Sequence, residues 1–134
     1  MTTKAALTMI LSAVIVAWTL AACGETVDPT RPNPGRVTVA LGSPNADDGG
    51  VRFTVRGGPI DSVTAGSYDV FRAAVADFQR VIVIGSLAPG PMVQLWLPDR
   101  NQLDSYEVTV EEVAARGTFV SRSLDGYTLT LIIP

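Results

Sequence analysis

Apolar and polar residues alternate with a period of two along most of this chain. Val37, Val39 and Leu41 share one side of a run whose other side carries Thr38 and Ala40. Val51, Phe53 and Val55 alternate with Arg52, Thr54 and Arg56, and Val93, Leu95 and Leu97 form a third apolar set. Tyr106, Val108 and Val110 alternate with Glu107, Thr109 and Glu111. The last run sets Tyr127, Leu129, Leu131 and Ile133 against Thr128 and Thr130. Successive side chains of a strand point to opposite faces, so each run predicts a strand with one face in a core. Val81–Ile84 is apolar throughout, which predicts a central strand covered on both faces.

Two stretches break the rhythm. At Glu111-Glu112-Val113 two charges fall side by side; a β-bulge there explains the slip, and a helical turn through Ala115 is the alternative. Between Tyr68 and Phe78 the spacing of Tyr68, Phe71, Val75 and Phe78 fits a helix, as do Ala73, Ala74 and Ala76. Ser67–Phe71 reads equally as a strand, and a strand followed by a loop or short helical turn is the favoured reading. Gly57-Gly58-Pro59, Pro89-Gly90-Pro91 and Pro98–Asn101 punctuate the runs. About seven short strands with such turns predict an all-β chain, an antiparallel β-sandwich over residues 36–134. The first two runs are expected to pair as a hairpin or to lie on facing sheets.

The beginning of the chain follows another plan. Lys4 precedes an apolar stretch from Ala5 to Ala22, and small residues lead into Cys23, the single cysteine. A positive charge, an apolar run and small residues make a signal peptide over residues 1–22. An uncleaved signal anchor is the alternative. Residues 23–35 hold Pro29, Pro32 and Pro34 and few apolar residues, so they read as a tether. At about 3.1 Å per residue it reaches up to roughly 40 Å.

Leu20-Ala21-Ala22-Cys23 resembles the lipobox of bacterial lipoproteins. The resemblance implies that the Cys23 thiol receives a diacylglyceryl group, that the leader is cut just before it, and that the new amine takes a fatty acyl chain such as palmitate. Two or three chains anchor stably where one does not. Gly24 stands where an aspartate often marks inner-membrane retention, so the resemblance favours the outer membrane of a diderm envelope. The strand–turn–strand Val81–Leu97 is also similar to that of cohesin-like sandwiches within the immunoglobulin-like architectures, a likeness that carries no function.

Composition narrows the chemistry. Removal of the leader leaves 112 of 134 residues, which suits one domain. Nine arginines then face 13 carboxylates, and neither histidine nor lysine remains. A nucleic-acid binder carries a basic footprint, so none is expected as a partner. Without histidine there is no ordinary general base near neutral pH, and without lysine no Schiff base. With Cys23 acylated, no strong nucleophile is left, and neither catalysis nor a cofactor is expected.

Candidate binding residues are few. Trp96 falls opposite Leu95 and Leu97; on an open face it would stack on a sugar or anchor a partner, and under a second layer it would be core. Arg52 and Arg56 share a strand face that suits anionic groups, or that simply discourages edge pairing. Asn45, Asp47 and Asp48, beside Gly49 and Gly50, offer oxygens of the kind calcium takes, but without the EF-hand spacing; turn geometry explains them as well, and no metal is assigned. The expectation is a lipid-anchored, exported cell-envelope module that binds an envelope protein or a glycan. The alternatives are a chaperone-like accessory of an envelope complex and a small carboxylate-dependent hydrolase.

Overall fold

The computed structural model describes Asp28 and residues 30–134. The leader, the lipobox and Cys23 lie outside these residues. Eight strands run in chain order: β1 (Gly35–Gly42), β2 (Asp48–Arg56), β3 (Ser62–Thr64), β4 (Asp69–Val75), β5 (Phe78–Leu87), β6 (Gly90–Leu97), β7 (Glu107–Ala115) and β8 (Thr128–Ile132). A 3-10 helix, Arg100–Ser105, precedes β7. The strands form two four-stranded antiparallel sheets, ordered β3-β6-β1-β8 and β4-β5-β2-β7. The first two strands therefore lie on facing sheets, not in a hairpin.

The sheets meet through the apolar sets that alternation marks. Val37, Val39 and Leu41 of β1 and Val93, Leu95 and Leu97 of β6 are buried from one side; Val51, Phe53 and Val55 of β2 and Val81 and Val83 of β5 close from the other. Each such side chain contributes about 1.5–3 kcal/mol when fully buried. The segment between Tyr68 and Phe78 is strand, not helix. All seven β4 residues pair in register with β5, and Ala76-Asp77 makes the turn with Ala76 at φ 50°. The short strand β3 follows no apolar alternation and raises the count to eight.

One expectation fails in an informative way. Val81–Ile84 is central in its sheet but covered on one face only: Val83 is fully buried, whereas Ile84 is 36% exposed. Among the described residues no further layer packs over the outer face, so Ile82 and Ile84 lie beside exposed Phe71 of β4. The phase slip at Glu111-Glu112 is the expected irregularity. Arg52 opposes Glu112 and Phe53 opposes Val110, so Glu111 has no opposite number in β2.

Residues Arg31–Gly35, at the end of the stretch read as tether, are held against the 3-10 helix. The Asn33 amide donates to Asp99 Oδ1 (3.0 Å), the Arg100 amide to the Asn33 carbonyl (2.8 Å), and Asn101 Nδ2 to the Arg31 carbonyl (3.1 Å). Asp99 caps the same helix through the Asn101 amide, so one carboxylate both starts the helix and fixes the incoming chain. Among the described residues no helix is long and apolar enough to cross a membrane.

Candidate ligand-binding face

The outer face of the β3-β6-β1-β8 sheet mixes short uncharged polar side chains with one indole, one guanidinium and a few aliphatic groups. Register sets Ser62, Trp96 and Arg36 in one row across β3, β6 and β1, and Thr64, Gln94, Thr38 and Ile132 in the next, extending to β8. Leu95 and Leu97 point into the core, so strand geometry sends Trp96 outward. It is 38% exposed, and no second layer covers it among the described residues. The Arg36 guanidinium stands 5.9 Å from the centre of its ring, within reach of a cation–π contact.

Arg36, Ser62, Thr64, Gln94 and Trp96 line a depression of about 240 Å³. A larger one of about 610 Å³ adjoins it through Thr64 and Gln94 and runs on past Thr38 and Tyr68. Together they present two aromatic rings, Trp96 and Tyr68, several hydroxyls, an amide and a guanidinium. A flat indole edged by short hydrogen-bonding groups suits a ligand with alternating apolar and hydroxylated faces. Among the described residues no carboxylate pairs with Arg36, so its charge is free for a ligand.

The other sequence candidates are engaged within the fold. Arg52 lies 3.1 Å from Glu111 through Nε, a Coulombic contact without hydrogen-bond geometry, and 3.1 Å from Glu112 through Nη2. Arg80 grips Glu111 at 2.9 and 3.2 Å. These bonds hold the Glu111 carboxyl below the usual carboxylate range, and they raise the Arg80 guanidinium in turn. Arg56 stacks 4.3 Å from the Phe78 ring and lies 3.5 Å from Asp77. This face carries compensated charge rather than an open anion site.

Asn45, Asp47 and Asp48 do not converge on a cation position. Asp48 is completely buried. Its Oδ1 accepts from Tyr127 Oη (2.7 Å) and Arg122 Nη1 (3.1 Å), and its Oδ2 from Ser43 Oγ (2.6 Å). Asp47 pairs with Arg122 Nη2 at 2.9 Å, and Asn45 Nδ2 donates to Tyr127 Oη at 2.9 Å. Among the described residues no group of three or more potential metal ligands is found. Sequence reasoning missed Arg122 and Tyr127 as partners, because a bulge turns Asp48 inward. Alternation back from Val51 sets position 48 on the outer face, but the register skips Gly49 against both neighbouring strands. A Cβ at Gly49 would meet the Arg116 backbone.

A separate slot of about 190 Å³ lies on the outer face of the other sheet, floored by Gly50 and Ala114 and walled by Ile82, Ile84 and Phe119. Its two charged rim residues, Arg52 and Glu112, neutralise each other. Comparison with protein-family models, curated proteins and solved structures finds no match for this chain. What its faces bind therefore follows from their own geometry.

Proposed function

We propose that this chain is a lipid-anchored cell-envelope binding module that takes a glycan on the Trp96 face. Acyl chains on Cys23 hold it to the membrane, the outer one in a diderm envelope, and the sandwich acts without catalysis or cofactor. The observation that carries the reading is the exposed Trp96 ring in a polar depression beside Arg36, which pairs with no carboxylate among the described residues. Aromatic stacking of this kind combines a large apolar contact with few degrees of freedom to freeze.

The test uses full-length protein in detergent. A fatty-acid analogue labels wild type and not Cys23→Ala, and a glycan array returns hits that Trp96→Ala loses while its circular dichroism spectrum stays unchanged. Labelling of both proteins removes the anchor from the reading. Glycan signals that survive Trp96→Ala remove the ligand face.

Assembly with an envelope protein is the second reading, favoured by the uncovered apolar strand β4. Turnover of an envelope polymer by the purified protein would establish the hydrolase alternative instead.

A further inference from the structure

The four sheet edges are protected unequally. The edge strand β3 is three residues long and β8 five. β7 is covered where Ala115 N donates to the Val120 carbonyl (2.9 Å) and Arg122 N to the Val113 carbonyl (2.8 Å). β4 is different. It runs seven residues without a bulge, paired with β5 on one side and, among the described residues, with no strand on the other. It contains neither lysine nor proline. Natural edges are blunted by short length, bulges, prolines or charges, because a long flat edge offers a row of free N–H and C=O groups to another strand. The one cation of β4, Arg72, is folded back on its own chain, with Nη1 donating to the Ile60 carbonyl at 3.0 Å.

The side chains beside this edge are also apolar. Phe71 is 58% exposed at the middle of its outer face. Its cross-strand row reads Phe71, Ile82, Arg52, Glu112, so apolar groups lie at the free edge and the ion pair farther in. Ile84, in the neighbouring row, adds to the patch. An interface has this arrangement, apolar at its centre and charged at its rim.

We propose that β4 pairs antiparallel with β4 of a second copy, about a two-fold axis through Phe71, to give a continuous eight-stranded sheet. In that register the two Phe71 rings are direct cross-strand neighbours, a favourable aromatic pair. Asp69 opposes Ala73 of the second copy and Val70 opposes Arg72, so no like charges meet. A register centred on Arg72 would set two guanidinium groups face to face, which is unfavourable. The contact is isologous and closes at two chains. The axis is perpendicular to the sheet, so both Trp96 faces look out on the same side. That last point bears on ligand binding only under the glycan reading; the dimer does not depend on it.

Cysteine cross-linking of the full-length chain in its membrane tests this. Directly opposed residues have Cα atoms about 4.5–5.5 Å apart, within disulfide reach. Two copies of Ala73, each two residues off the axis, are about 14 Å apart. Under copper–phenanthroline and air, Phe71→Cys should therefore give about tenfold more covalent dimer than Ala73→Cys. Wild type, with Cys23 alone, sets the background. Phe71→Arg should run at monomer mass in detergent under conditions where wild type runs at dimer mass. Cross-linking through Ala73→Cys instead, through neither, or a dimer that persists in Phe71→Arg overturns the proposal. Phe71 is largely exposed, so these variants leave the core intact, and circular dichroism checks that they do.

Discussion

Replacing Asp48 by alanine should destabilise this protein far more than replacing its neighbour Asp47, although both carboxylates bind the same arginine. Asp48 is fully buried and receives three donors, from Ser43, Tyr127 and Arg122. Its removal leaves the Tyr127 hydroxyl without its acceptor, turns the Ser43 hydroxyl over to the Asn45 carbonyl alone, and strips Arg122 of its buried partner. An unsatisfied buried group costs about 1–3 kcal/mol, and breaking a buried ion pair from one side costs about 3–5 kcal/mol. These penalties overlap, so the expected loss is about 4 kcal/mol. Asp47 has a side chain 59% exposed, and its pair with Arg122 is worth at most about 1 kcal/mol. Against a typical domain stability of about 5–15 kcal/mol, Asp48→Ala removes a large share. The corresponding fall in Tm is about 15–25 °C. Urea unfolding followed by circular dichroism measures both variants. A cycle with Arg122→Ala should show the Asp48 and Arg122 losses to be non-additive by about 1–3 kcal/mol. If Asp48→Ala costs no more than Asp47→Ala, or the cycle is additive, the network does not clamp the fold as described.

The acid limb should report Glu111. Its folded pKa lies below the ordinary 4.5 because Arg80 hydrogen-bonds its carboxylate. The stability it contributes is therefore present above about pH 4.5 and lost as pH falls through the folded value. Glu111→Gln should flatten the loss of stability in that window, and an unchanged acid slope by urea titration contradicts the assignment. Gly57 sits at φ 107°, where a Cβ would collide with the Ser105 carbonyl. Gly57→Ala should cost about 2–4 kcal/mol in the same assay, and a loss below about 1 kcal/mol would show that the turn adapts.

Alternation made the core legible. Val37, Val39, Phe53, Val83 and Leu95 point inward where a period of two sets them, and the doubled charge at Glu111-Glu112 marks the bulge. What stayed hidden depends on which strands become neighbours. Ile82 and Ile84 look like core in sequence, because a run of β-branched residues does not say whether one layer or two will cover it. Asp48 looks like a turn residue, because the bulge at Gly49 is set by the approach of Arg116. Two of the three partners of Asp48, Arg122 and Tyr127, lie 74 and 79 residues away in sequence. The face around Trp96 was half visible: the phase of β6 placed the indole opposite the core, but the juxtaposition with Arg36 and Ser62 required the register.

The strapping of Arg31 and Asn33 to the 3-10 helix has a mechanical consequence. Tension on the stretch that leads back to Cys23 would load the hydrogen bonds between Arg31–Asn33 and the 3-10 helix first, and only then Gly35, the first residue of β1, a strand held on both sides by β6 and β8. Gly35 pairs with Leu97, and the next rung joins Arg36 to Trp96. Under the proposed function, with a ligand gripped at Trp96 and the chain held at Cys23, the load would fall on these straps and on that pair of adjacent rungs. The force would pass from ligand to anchor without crossing the core or the Asp48 network. Resistance to pulling then depends on how fast those few hydrogen bonds shear, a rate rather than an equilibrium stability. A mutation that weakens the global fold could leave the grip under load unchanged.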